Sequence, residues 1–163
     1  MNKAGISSED RPVTRAAVEA ASQTGSPAAA IELSDGTILT GKTKELLGAT
    51  SAVILNALKY LADIDSSVQL LPSYLIAPVQ SLKVSYLGSS NPRLHVDEVL
   101  IALSVAAAEN ETAARALKAL PQLNGCEAHC SVILSEKDSA VMRNLGINMT
   151  TQPEYENDNL YHI

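Results

Sequence analysis

The 163 residues contain no phenylalanine and no tryptophan, and only five tyrosines. A core must therefore be built from Leu, Ile, Val and Ala. The same scarcity speaks against an aromatic platform on which nucleobases could stack. No run of Lys or Arg occurs and the net charge is −6. This disfavours a nucleic-acid groove or a patch for an anionic membrane. No apolar stretch reaches the roughly 18 residues of a membrane span; the longest, residues 99–108, is interrupted by Ser104. Cysteine occurs twice. The opening residues, MNKAGISSEDR, lack the apolar segment of a secretory leader. Together these predict a reducing, cytoplasmic setting.

What is present fits one globular domain, since 46% of residues are hydrophobic. The chain is organised around residues 28–62. Ala29, Ile31 and Leu33 alternate with Ala30, Glu32 and Ser34, the period of a strand. Asp35-Gly36 is a turn signal, because glycine takes a positive φ without steric cost. Residues 37–40 suit a return strand, which Gly41 is expected to end. Val53, Ile54, Ala57, Leu58 and Leu61 then recur at helical spacing, with Thr50 or Ser51 as the expected N-cap.

Residues 1–27 read as a linker or loosely packed segment, with a short Ala-rich helix over residues 14–21. Residues 68–71 read as a third strand closed by Pro72. Leu75, Val79, Leu82 and Tyr86 form a helical stripe ending at Gly88, with Pro78 expected in the first turn. Residues 96–108 are apolar nearly all round and are expected to lie buried between layers. Asn110 can cap a further helix that Pro121 stops. Residues 128–134 and 147–150 read as strands flanking a helix. Ser135 and Asp138 form a capping signature for that helix, whose crossover predicts parallel neighbours. The tail, residues 154–163, is acidic and expected to be loosely held, with Leu160 and Tyr161 able to dock and His162 solvated. The expected fold is a three-layer α/β domain over residues 28–153, with a mixed sheet and helices on both faces. Its element order is like that of the cytidine deaminases, an analogy of fold alone.

The strings AIELSDGTILTGKT, LNALK, NPRL, EVLIALS, GCEAH and LGINMT resemble the C-terminal part of a bacterial family of uncharacterised proteins, the domain-of-unknown-function family 1846. The resemblance runs from about Glu9 to the end. It implies that the chain is a C-terminal domain, a truncated product or a fragment of a longer protein with a glycine-rich, phosphate-loop-like stretch upstream. It implies no activity. Two residues depart from the pattern: Cys130 stands where a small polar residue is usual, and His95 where a better helix cap is usual.

Three groups of residues invite a chemical reading. Gly36 to Thr43 matches G-x-x-x-x-G-K-[ST], whose chemistry needs bare amides around phosphate and a helix beginning at the lysine. Ile38 and Leu39 are bulky for such a loop, and the plain reading is a hairpin with Lys42 at its exposed end. Cys126-Glu127-Ala128-His129-Cys130 has metal-ligand types at close spacing, as a zinc hydrolase or deaminase would need. On a strand, however, His129 and Cys130 point to opposite faces. A Cys126–His129 nucleophilic pair lacks an orienting third group. The third group is Lys42, Asn56, Lys59, Asn91, Arg93 and His129, which could converge on a phosphorylated small molecule; Asn56 and Lys59 share a helix face.

The function expected from sequence is a structural or interaction module of a larger cytoplasmic protein, with no complete catalytic site and no cofactor or metal. Its partners would be the remaining domains or another subunit, with no nucleic acid and no membrane. The alternative is part of an enzyme binding a nucleotide-like or phosphorylated small molecule.

Overall fold

A computed structural model describes residues 11–44, 47–89 and 91–152. The acidic tail and the first ten residues lie outside them. Helix α1 (Pro12–Thr24) leads into strands β1 (Ala28–Glu32) and β2 (Ile38–Lys42), then helix α2 (Ala49–Leu61). Helix α3 (Ser73–Ser81) continues into a π-helical turn, Leu82–Tyr86. Helices α4 (Val96–Ala107) and α5 (Glu111–Lys118) follow, then a 3₁₀ turn, Leu120–Leu123. Strand β3 (Glu127–Cys130), helix α6 (Glu136–Asn144) and strand β4 (Asn148–Thr151) close the described chain.

The four strands form one mixed sheet in the order β2-β1-β3-β4. Strand β1 is antiparallel to both its neighbours, whereas β3 and β4 are parallel, as the helical crossover between them requires. The pleat divides the side chains cleanly. Ile31 pairs with Leu39 and with Ala128, which pairs with Met149. This row belongs to the main aliphatic core with α2, α4, α5 and α6. Ala30 pairs with Thr40 and His129 and lies under α1, where Val13 and Ala17 are fully buried. The domain is thus an α/β fold with helices on both faces of a mixed sheet.

Several details differ from the sequence expectation. The N-terminal helix is longer than residues 14–21 and packs tightly on β1 instead of lying in a loose segment. Arg11 helps to hold it there: its guanidinium donates to Glu127 Oε1, to Thr150 Oγ1 and to the Ala128 and Asn148 carbonyls. Strand β2 does not stop at Gly41 but continues to Lys42, and the glycine is there for contact. A Cβ on Gly41 would lie 2.5 Å from the Val53 nitrogen of α2. Neither Thr50 nor Ser51 caps α2. Gly48 occupies the N-cap, and the Thr43 hydroxyl accepts from the Ala49 amide. Ser51 instead donates to the Leu94 carbonyl in the core.

No third strand forms at residues 68–71. The Lys59 ammonium takes the Ser66 and Val68 carbonyls, and Leu70 and Leu71 turn into the core. Pro78 sits in the interior of α3, not its first turn, because the helix already begins after Pro72. A mid-helix proline removes one backbone donor. Directly after this helix the backbone widens, so that Leu87 donates to the Leu82 carbonyl five residues back. Finally, α4 is buried along Val96, Val99, Ala102 and Leu103, but Ile101 and Val105 are each 63% exposed. Among the described residues nothing covers that outer side.

The caps at α4 and α6 are shared. Ser135 Oγ accepts from the Asp138 amide, as the capping signature predicts. The Asp138 carboxylate, however, reaches across to α4, accepting from the Val96 amide and meeting His95 Nδ1 at 3.3 Å. Glu98 completes this junction, accepting from the His95 amide and from Lys83. The imperfect cap residue His95 is thus supported by a carboxylate from another helix.

Candidate functional site

The G-x-x-x-x-G-K-[ST] stretch is a hairpin. Residues 38–42 are β2, Gly36 lies in the turn at φ +89°, and α2 begins only at Ala49. Thr43 spends its hydroxyl on that helix. No phosphate-wrapping loop exists there.

The Cys-Glu-x-His-Cys stretch is also dispersed. Cys130 faces the aliphatic core, while His129 faces α1. Glu127 engages Arg11 and Asn148. Cys126 is buried, which pushes its thiol above the usual range, and its sulfur lies 3.7 Å from the Gln122 carbonyl. Among the described residues no three His, Cys, Asp or Glu side chains stand together as a metal site.

His129 is 1% exposed and fully engaged. Nδ1 lies 2.7 Å from Thr150 Oγ1, and Nε2 lies 3.2 Å from the Gln152 side-chain amide. Burial, assisted by the Arg11 charge, lowers its pKa to about 4. It is therefore a neutral imidazole at ordinary pH, tying β3 to β4 beneath α1.

The six residues expected to converge divide between different places. Asn91 closes its own loop by accepting from the Arg93 amide. Arg93 donates through Nε to the Lys44 carbonyl and offers its own carbonyl to Lys83. His129 is on the α1 face. Lys42, Asn56 and Lys59, by contrast, line one cavity of about 710 Å³ beside the open edge of β2. Lys44 lines it as well. Sequence reading missed that residue, whose only signal was its position two residues after Lys42.

Each element contributes to the cavity for a local reason. Strand β2 is an edge strand, and Asn56 donates to its Thr40 carbonyl, covering part of that edge. Lys59, one turn further along α2, draws residues 66–68 over the opening. Leu47 and Val68, both half-buried, give it an accessible apolar wall over the core residues Leu55, Leu70, Leu71 and Ile76. Lys42 and Lys44 stand exposed at the rim. Burial, and then the neighbouring Lys44 charge, lowers the pKa of Lys59. The cavity can therefore take negative charge; it holds no evident nucleophile or acid–base pair among its described lining.

Comparison with known proteins gives the lineage. A family model described as "Domain of unknown function DUF1846, C-terminal" matches residues 9–161. The UPF0371 protein of Corynebacterium urealyticum is 54% identical over 99% of this chain, which covers 32% of that relative. A UPF0371 protein of Corynebacterium glutamicum is 55% identical over 99% of the chain and 32% of the relative. One from Streptococcus pyogenes serotype M5 is 51% identical over 99% and 33%. The chain therefore spans about a third of the length of these bacterial relatives. No described helix is long and apolar enough to cross a membrane. With more than nine-tenths of its length matched by that model, the chain belongs to the DUF1846 family, as its C-terminal domain.

Proposed function

We propose that this domain is an interaction module whose apolar outer side docks against the remaining part of the family polypeptide. The observation that carries this reading is the exposure of large apolar side chains in two segments. Tyr74, Tyr86 and Leu87 are 75%, 79% and 69% exposed on α3 and the turn that follows. Ile101 and Val105 project from α4. The π turn meets the start of α4, because Lys83 is buried against Glu98, and Ile101 and Val105 follow Glu98 along one side of α4. Exposed apolar side chains gathered in one region mark a contact surface. The occupant is chosen by length: about two-thirds of each relative lies outside the matched region. A cytoplasmic setting is part of this proposal and is supported by a sequence with only two cysteines.

The test is to express separately the upstream two-thirds of the Corynebacterium glutamicum relative and to titrate it with this chain by calorimetry. Saturable one-to-one binding, weakened at least tenfold by Tyr86→Glu or Ile101→Glu, is expected. No binding, or binding indifferent to both variants, contradicts the proposal. Self-association of the chain through the same residues, without affinity for the upstream part, would assign the surface to a second copy instead.

A further inference from the structure

The docking reading leaves the lysine-lined cavity unused, and the inference drawn from it is independent of that reading. Three ammonium groups, Lys42, Lys44 and Lys59, line a space of about 710 Å³. Its described lining contains no Asp or Glu, in a chain whose net charge is −6. Solvated lysines on an exposed face would ordinarily signify nothing. Here they surround a concave site with an apolar wall at Leu47 and Val68, and its volume lies within the roughly 300–1,000 Å³ of small-molecule pockets. Lys59 already satisfies the Ser66 and Val68 carbonyls, so its role is to shape the opening and add charge. Among the described residues none engages the ammonium groups of Lys42 and Lys44, which face solvent.

We propose that this cavity binds a small phosphate monoester with an aliphatic body, its phosphate at Lys42 and Lys44 and its body against the half-buried Leu47 and Val68. Lysine suits a phosphate as a mobile point charge, and a dianion uses several ammonium groups where a carboxylate would use one. The body is assigned from what the lining lacks. Its described residues include no aromatic ring and no arginine plane, so a nucleobase would find nothing there to stack on. Asn56, Ser66, Ser67 and Gln69 can meet hydroxyl groups on the body. Binding is expected to stiffen residues 66–71, which form one wall.

The test uses the intact chain and hexyl phosphate, with inorganic phosphate, hexanoate and adenosine monophosphate as comparisons, followed by amide NMR and calorimetry. Hexyl phosphate should shift the amides of Gly41, Leu47 and residues 66–71. It should bind at least tenfold more tightly than inorganic phosphate or hexanoate, and more tightly than adenosine monophosphate. The double variant Lys42→Gln, Lys44→Gln, both at exposed positions, should keep the native spectrum and lose at least tenfold in affinity. Shifts scattered over the surface, or affinity unchanged in that variant, would overturn the site. Equal binding of hexanoate would overturn the phosphate assignment, and tighter binding of adenosine monophosphate would overturn the aliphatic body.

Discussion

The two faces of the sheet are built on different physics. The face toward α2 is aliphatic and close-packed. Ile31, Val53, Ile54 and Leu58 are almost wholly buried, and β2 approaches α2 so closely that only glycine fits at position 41. The face toward α1 is small and polar. Ala28 and Ala30 leave room for the helix, but the neighbouring positions carry His129, Glu127 and Thr150, tied together by Arg11. Burial of apolar area stabilises the first face with little dependence on pH. The second depends on hydrogen bonds to ionisable groups, each costly to leave unmade. Aliphatic burial thus carries the α2 face, while the α1 face makes the domain's stability conditional on acid.

The largest expected effect breaks the aliphatic face. Gly41→Ala places a methyl against backbone that cannot yield, and should cost about 3 kcal/mol or more in chemical denaturation. A loss well under about 1 kcal/mol would show that the β2–α2 contact is looser than described.

The polar face should answer to acid. The folded pKa of His129, about 4, lies below the ordinary value of 6.5. The unfolded chain therefore takes up a proton first as pH falls. The stability from this group is present above about pH 6.5 and is lost progressively down to about pH 4, by about 3 kcal/mol at most. Denaturation midpoints measured across that range should fall in the native chain, and fall less in His129→Gln. Equal slopes would remove His129 as the cause.

Arg11→Met should cost about 2 kcal/mol and should speed hydrogen exchange in α1, leaving α2 amides protected. Loss of protection in both helices together would mean that the two faces are not separable.

The smallest effect has the opposite sign. Hydrogen bonding to Asp138 raises the pKa of His95 above 6.5, against the opposing effect of burial. Its stabilisation is complete below pH 6.5 and is lost as pH rises through the folded value. His95→Asn, which keeps a capping residue without the charge, should flatten that alkaline-side decline, as melting temperatures between pH 6 and 9 would register.

What the sequence made legible follows the same division. The β1–β2 hairpin, the Asn110 and Ser135 caps and the parallel β3–α6–β4 crossover depend on local signals, and each is present. The helix α1 was understated because only Val13 and Ala17 mark its inner side, while its anchor Arg11 finds partners more than 100 residues away. The strand expected at residues 68–71 had the right residue types, but the Lys59 side chain took the Val68 carbonyl that a neighbouring strand would have used. Half of the expected ligand group shares one cavity, because Asn56 and Lys59 sit one turn apart facing the β2 edge. His129 was separated from them by the pleat, which strand alternation alone decides once β3 is placed.

The docking proposal requires the outer side of α3 and α4 to be covered in the whole family protein. Its most direct test is hydrogen–deuterium exchange on this domain alone and within an intact relative, that of Corynebacterium glutamicum. The account predicts slower exchange in the intact protein at positions matching residues 74–87 and 100–106, with α1 and β4 unchanged. Identical exchange at those positions in both forms would contradict it.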